Sequence, residues 1–293
     1  MHPLSLAAPG ELPTLEGVAH RTAEARGVRF HLAEAGAGPP VLLLHGWPQH
    51  WWAWRRVVPL LAPHARLIML DLRGFGWSDA PPRGYGKEGM AEDVLAVLDA
   101  LGLERVRMIG HDWGAWIAFL ACCAAPERVE RLLALGIVPP VGRPRPRALA
   151  GVWRLAYQLV LAAPVLGERV VASRRFVPWL LTAGAADAGA FSRDDLHAFA
   201  AVLAEPARAR ASARLYRTFV TREAWRARGR RLRVPTLLML GARDPVVRPA
   251  MVAGRERWAA DLTVEVIPGC GHFVPEERPE LVAERARSFL RLG

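Results

Sequence analysis

Three polar residues far apart in the chain share a local setting that could make them reactive. Asp112 stands at the centre of Gly110-His111-Asp112-Trp113-Gly114-Ala115, where small residues on both sides would let one side chain project from a sharp strand-to-helix turn. Asp244 follows an apolar run in Gly241-Ala242-Arg243-Asp244-Pro245, and His272 follows another in Pro268-Gly269-Cys270-Gly271-His272-Phe273. In that order they supply a nucleophile, an acid to orient an imidazole, and the imidazole as general base. Asp112 seen alone would serve equally well as a helix N-cap, worth about 1 kcal/mol. A lone Asp or His beside a strand end is more often structural. Three such residues, in order, at three strand ends favour chemistry.

The residue type at position 112 restricts that chemistry. A serine there would imply acyl transfer, whereas carboxylate oxygen is a poor nucleophile toward acyl carbon and a competent one toward strained or activated saturated carbon. The expected intermediate is an alkyl ester on Asp112, hydrolysed by water that His272 activates while Asp244 fixes its tautomer. The oxyanion formed in that step needs donors. Backbone N–H groups of Trp47, in His45-Gly46-Trp47-Pro48, and of Trp113 are placed to supply them. The same loop also turns the chain, and both indole rings fill space.

Such residues need a rigid sheet beneath them. Residues 19–25 and 28–35 read as a hairpin turning at Arg26-Gly27, and short apolar runs at 41–44, 67–70, 106–109, 132–138, 236–240 and 264–267 read as strands buried on both faces. Helix-length segments lie between most of them. One is 90–101, with Met90, Val94, Val97, Leu98 and Leu101 on a single stripe, and another is 116–125. The fold class expected is α/β, a mainly parallel sheet with helices on both faces. From Pro139 to about Arg231 the alternation stops, and helix-like segments appear at 153–165, 193–203 and 208–225. That stretch reads as a helical cap inserted between two strands, hinged near Pro139, Pro140, Pro144 and Pro146. The division expected is a core in two parts, 1–138 and 232–293, with the cap at 139–231.

With 293 residues, 52% hydrophobic and 23% charged, the chain has the composition of a globular protein. The net charge of +11 is uneven, since residues 143–233 carry 18 arginines against 6 acids while the rest sums to −1. A nucleic-acid surface is one reading of that asymmetry. The arginines are spread through Ala-rich helical sequence with no nucleic-acid-binding motif, so a solvated charged face explains them more simply. Cys122, Cys123 and Cys270 suit neither a disulfide framework nor a zinc site, and reduced thiols in a cytoplasm fit best. The N-terminal residues lack a signal-peptide pattern, and the most apolar stretch, 148–166, is broken by Arg154, Gln158 and Pro164, so neither export nor a membrane span is expected.

His45-Gly46-Trp47-Pro48, the loop Asp71-Leu72-Arg73-Gly74-Phe75-Gly76-Trp77-Ser78-Asp79, the elbow around Asp112, and the segments holding Asp244 and His272 together resemble the α/β-hydrolase-fold epoxide hydrolases and their haloalkane dehalogenase relatives. The resemblance runs from Val28 nearly to the end of the chain. It implies that a cap lies over Asp112 with substrate between them. An epoxide oxygen leaves as a basic alkoxide and needs a donor that is stable when neutral, a role suited to tyrosine. Of three tyrosines, Tyr157 and Tyr216 fall in two separate cap segments, and the resemblance carries the ring-opening pair onto them. Each could instead be a packing residue. The expected activity is conversion of an epoxide to a vicinal diol, with no cofactor and no metal. Trp47, Trp113, Tyr157 and Tyr216 would contact the substrate.

The rival enzyme class is a haloalkane or haloacid dehalogenase using the same aspartate. Trp113 matches one halide-binding position, but position 47 is Trp where an Asn is usual, and an Arg usual after the nucleophile of fluoroacetate dehalogenases is absent. Trp153, Trp179 and Trp225 in the cap keep that reading open. A non-catalytic binding protein on the same fold is a third reading. Trp51, Trp52 and Trp54 are expected to pack beneath the cap. The expected partner is a small-molecule epoxide, not nucleic acid or membrane, with a homodimer left open.

Overall fold

The computed structural model describes residues 10–142, 156–224 and 229–293. Trp153, Trp225, Pro144, Pro146 and the first nine residues lie outside the described residues. Eight strands form one sheet: β1 (Ala19–Ala25), β2 (Val28–Ala35), β3 (Pro40–Leu44), β4 (Arg66–Leu70), β5 (Val106–His111), β6 (Val129–Leu135), β7 (Thr236–Gly241) and β8 (Leu262–Ile267), in the order β1-β2-β4-β3-β5-β6-β7-β8. The first two form an antiparallel hairpin, and β2 pairs antiparallel with β4. All other pairings are parallel. Arg26 and Gly27, at φ 50° and 70°, make the tight turn whose twist suits a two-residue hairpin.

Side chains alternate between two cores, which is why the parallel strands read as unbroken apolar runs. Leu42, Leu44, Ile68 and Leu70 pack on one face against α2 (Lys87–Ala100) and α3 (Trp113–Ala124). Val41, Leu43, Leu67 and Met69 pack on the other against α1 (Val58–Leu61) and α11 (Pro279–Leu290). Two short helices, α9 (Pro249–Val252) and α10 (Val274–Glu277), follow β7 and β8. Between β6 and β7 lie α4 (Tyr157–Ala162), α5 (Leu166–Val171), α6 (Phe176–Gly184), α7 (Arg193–Leu203) and α8 (Pro206–Thr218), the last running into a π-helical turn at Phe219–Glu223. No helix among the described residues is long and apolar enough to cross a membrane.

Several boundaries differ from expectation, and three of them have a clear local reason. β6 runs over Val129–Leu135 rather than 132–138, because Gly136 at φ 59° turns the chain out of the sheet. Helix α3 starts at Trp113, three residues early, because it springs directly from the turn at Asp112. The expected single helix over 153–165 is broken: Ala163, before Pro164, is extended with ψ 134°, and α5 begins three residues on.

The insertion is fastened to the core by buried cations. Arg208, 3% exposed, donates to Gly76 O at 2.6 Å and Ser78 O at 3.1 Å, in the loop after β4. Lys87, the only lysine in the chain, is fully buried at the start of α2 and donates to Leu215 O at 2.5 Å. Its ammonium also pairs with Glu223 at 3.1 Å.

Candidate active site

Asp112 occupies the turn between β5 and α3 at φ 48°, ψ −123°, a conformation that costs about 1–3 kcal/mol in a non-glycine residue and persists only when its surroundings enforce it. The neighbouring glycines show how. A Cβ on Gly110 would sit 2.6 Å from Ala115 Cα, one on Gly46 would meet Asp112 Cβ at 2.5 Å, and one on Gly114 would collide with Leu44 O. Although Asp112 precedes the helix, its side chain makes no capping hydrogen bond, so it is not serving as a cap. Its Oδ1 is buried without a hydrogen-bond partner among the described residues.

His272 stands opposite. Its Nδ1 lies 2.8 Å from Asp244 Oδ2, while its Nε2 is 3.8 Å from Asp112 Oδ2. Asp244 is fully buried at the end of β7, and its Oδ1 accepts from Val246 N at 2.7 Å and Val247 N at 2.9 Å. An acceptor held in this way assigns the proton to Nδ1 and aims Nε2 at Asp112. Burial opposes a charge on His272, but the carboxylates of Asp244 and Asp112 outweigh it and raise the imidazole to about 10. His111, directly before Asp112, goes the other way. Burial, then the proximity of His272, lowers it to about 4, so it is neutral and donates from Nε2 to His272 O at 2.9 Å.

The donors expected for an oxyanion are oriented by their neighbours. Leu72 N donates to His45 Nε2 at 3.1 Å, which leaves Nδ1 to donate to Gly46 O at 2.9 Å. Gln49 N donates to the same carbonyl at 3.0 Å. Fixing this carbonyl fixes the peptide plane and turns the Trp47 N–H the opposite way. The Trp113 N–H, in the first turn of α3, has no intrahelical acceptor.

Asp112, His272, Trp47, Tyr157 and Tyr216 share the wall of one cavity of about 220 Å³, whose remaining lining is largely apolar and includes Phe176, Leu180 and Phe273. The two tyrosine rings meet edge to face with centroids 6.2 Å apart. Tyr216 is buried edge-on to Trp47 at 5.0 Å and to Trp113 at 5.8 Å. Burial pushes both phenols well above their ordinary range, and the charge of Asp112 adds to the shift, so both are neutral O–H donors near pH 7. Trp113 lies behind this wall with its ring 4.7 Å below the Lys87 ammonium. Trp179 reaches the cavity from α6 and is 63% exposed. Trp51 and Trp54 are fully buried on the far face of the sheet, and Trp52 donates to Asp195 in α7 at 3.0 Å.

Of the seven residues named from the sequence, five line the cavity, while Asp244 and Trp113 stand behind it; apart from Asp244, the residues that orient them were not named. His45 was visible within its motif, though nothing local distinguished an orienting group from a turn. His111 and Lys87 carried no signal, because their partners are distant in the chain.

A family model of the alpha/beta hydrolase fold matches residues 39–279. A soluble epoxide hydrolase of Corynebacterium sp. (strain C12) is 33% identical over 291 residues, covering 93% of this chain and 97% of that protein. Among solved structures, wild-type Cfl2 from Burkholderia cenocepacia superposes with a TM-score of 0.83 at 31% identity, covering 95% of this chain and 98% of the other. The epoxide hydrolase CorEH without ligand also gives 0.83, at 29% identity over 94% of this chain and 99% of its own.

Proposed function

The chain belongs to the α/β-hydrolase-fold epoxide hydrolases, and from that premise we propose that it converts epoxides to vicinal diols through an alkyl ester on Asp112. The observation that carries this reading is an uncapped carboxylate sharing one cavity with a histidine on one side and two neutral tyrosines on the other. Residues 139–231 act as the cap that brings the tyrosines over the nucleophile.

In the first half-reaction an oxygen of Asp112 attacks an oxirane carbon. The carbon–oxygen bond breaks with its electron pair on the ring oxygen, to which Tyr157 and Tyr216 donate. The alkoxide takes a phenolic proton, and after ring opening the phenolate regains one, from His272 in the wild-type site or from solvent where that residue is replaced. Esterification itself makes that proton available. It removes the charge of Asp112, one of the two carboxylates that hold His272 up, and so shifts the imidazole toward its neutral form.

In the second half-reaction neutral His272 takes a proton from water at Nε2, and Asp244 steadies the imidazolium. The water oxygen attacks the ester carbonyl carbon, and the N–H groups of Trp47 and Trp113 hold the oxyanion. The bond from that carbon to the alkyl oxygen then breaks, the departing oxygen takes the proton back from His272, and the carboxylic acid left on Asp112 passes its own proton to His272 as the diol leaves, which restores the resting pair. An apolar wall of Phe176, Leu180 and Phe273 favours aryl or alkyl epoxides.

The test is His272→Gln, which leaves Asp112 able to alkylate but removes the base for hydrolysis. Intact-protein mass should rise by one molecule of styrene oxide and stay there. No adduct despite measured binding overturns the scheme. Halide release from a bromoalkane without diol formation from styrene oxide would make the enzyme a dehalogenase instead.

A further inference from the structure

We propose that Glu277 is a positioning residue for the hydrolytic half-reaction, holding the loop that carries His272 against the cap. The inference rests on the reading above. Both carboxylate oxygens accept from Gly271 N, the residue before the base, at 3.1 and 3.0 Å. Oε2 also accepts from Ala186 N at 2.8 Å and Asp187 N at 3.3 Å, just beyond the end of α6 in the cap. One carboxylate thus joins two segments that are otherwise held in register by a backbone hydrogen bond, His272 N to Gly184 O.

The surrounding contacts carry the constraint to the imidazole. His272 N donates to Gly184 O at 2.9 Å. Gly271 has no room for a side chain there, since a Cβ would lie 2.5 Å from Ala186 N and 2.6 Å from Gly184 O. The adjacent Glu276 is fully buried and serves a different connection: it pairs with Arg55 at 2.7 Å, which pairs in turn with Asp195 of the α7 capping box at 2.6 Å. Glu277 is 7% exposed and absent from the cavity wall, and the charges that set the His272 proton are those of Asp244 and Asp112. Its effect is therefore one of placement.

Tyr216 is held separately, and α4, which carries Tyr157, is tied to α8 by Arg217, which donates to Ala162 O at 2.8 Å. Helix α8, which carries Tyr216, is fastened by Arg208 to the loop after β4 and by Lys87 to α2. Loosening Glu277 should disturb the base and spare ring opening.

The experiment measures formation and decay of the alkyl-enzyme by rapid quench and intact mass, with enzyme in excess over styrene oxide. Wild type, H272Q, E277Q and E277A are compared, with a thermal melt of each. Glu277→Gln keeps an oxygen for Ala186 and Asp187, so it retains the fold if Glu277→Ala does not. Alkylation by E277Q should stay within about twofold of wild type, while decay slows on the order of ten- to a hundredfold, as displacement of a catalytic group does. Equal slowing of both steps, or unchanged decay, overturns the proposal. If H272Q accumulates adduct while E277Q decays normally, only the role of Glu277 falls. If H272Q forms no adduct, the covalent reading falls and this proposal with it.

Discussion

In the proposed reaction His272 and the two tyrosines divide the work by charge state, and each of these states follows from surroundings. Tyr157 and Tyr216 are kept as neutral phenols by burial and by the anion they face, which suits them to donate. Tyr157→Phe and Tyr216→Phe should each slow alkylation by about 10²- to 10⁴-fold, the usual contribution of a positioned acid, with melting temperatures little changed. Unchanged alkylation rates in both would leave them as packing residues. His272 has the opposite character, since its folded-state value near 10 lies above the ordinary 6.5. The stability it contributes is complete below about pH 6.5 and is lost as pH rises toward 10. The melting-temperature gap between wild type and H272Q should therefore narrow steadily from pH 7 to 10. A gap independent of pH would contradict a resting imidazolium.

The elements position these residues by close backbone approach. Gly114 lets α3 lie against the end of β3, and a methyl group there would strike Leu44 O, a backbone atom that cannot swing aside. Gly114→Ala should cost about 1–3 kcal/mol in urea unfolding and also depress activity by lifting Asp112. Equal stability and activity would show that the elbow tolerates more space than its geometry indicates. Much at this scale was legible in sequence. The hairpin at 19–35 and helix α7 have the expected bounds, because local turn chemistry and periodicity decide them. The split between α4 and α5 was not read, although Pro164 carried its signal. The start of α3 at Trp113 was also missed, although Asp112 is an N-cap residue type, because Gly114 in the first turn weakens the helical signal there.

Across the whole molecule, the arginine surplus that suggested phosphate binding has a partly structural use. Arg208 ties α8 to Gly76 and Ser78, Arg217 donates to Ala162 O at 2.8 Å, and Arg230 pairs with Glu88 at 2.5 Å. Gln49 and Glu276, 227 positions apart and joined at 2.8 Å, show why periodicity could not reveal such connections. Arg208 and Arg230 join the segment between β6 and β7 to the rest of the fold, and in the cavity the proposed reaction turns on one point: the oxygen first joined to the substrate comes from Asp112, not from water. A single turnover in H₂¹⁸O, with enzyme in excess over styrene oxide, tests this most directly. The account predicts unlabelled diol and ¹⁸O in the Asp112 carboxylate. Diol labelled in that first turnover, with Asp112 unlabelled, would contradict it.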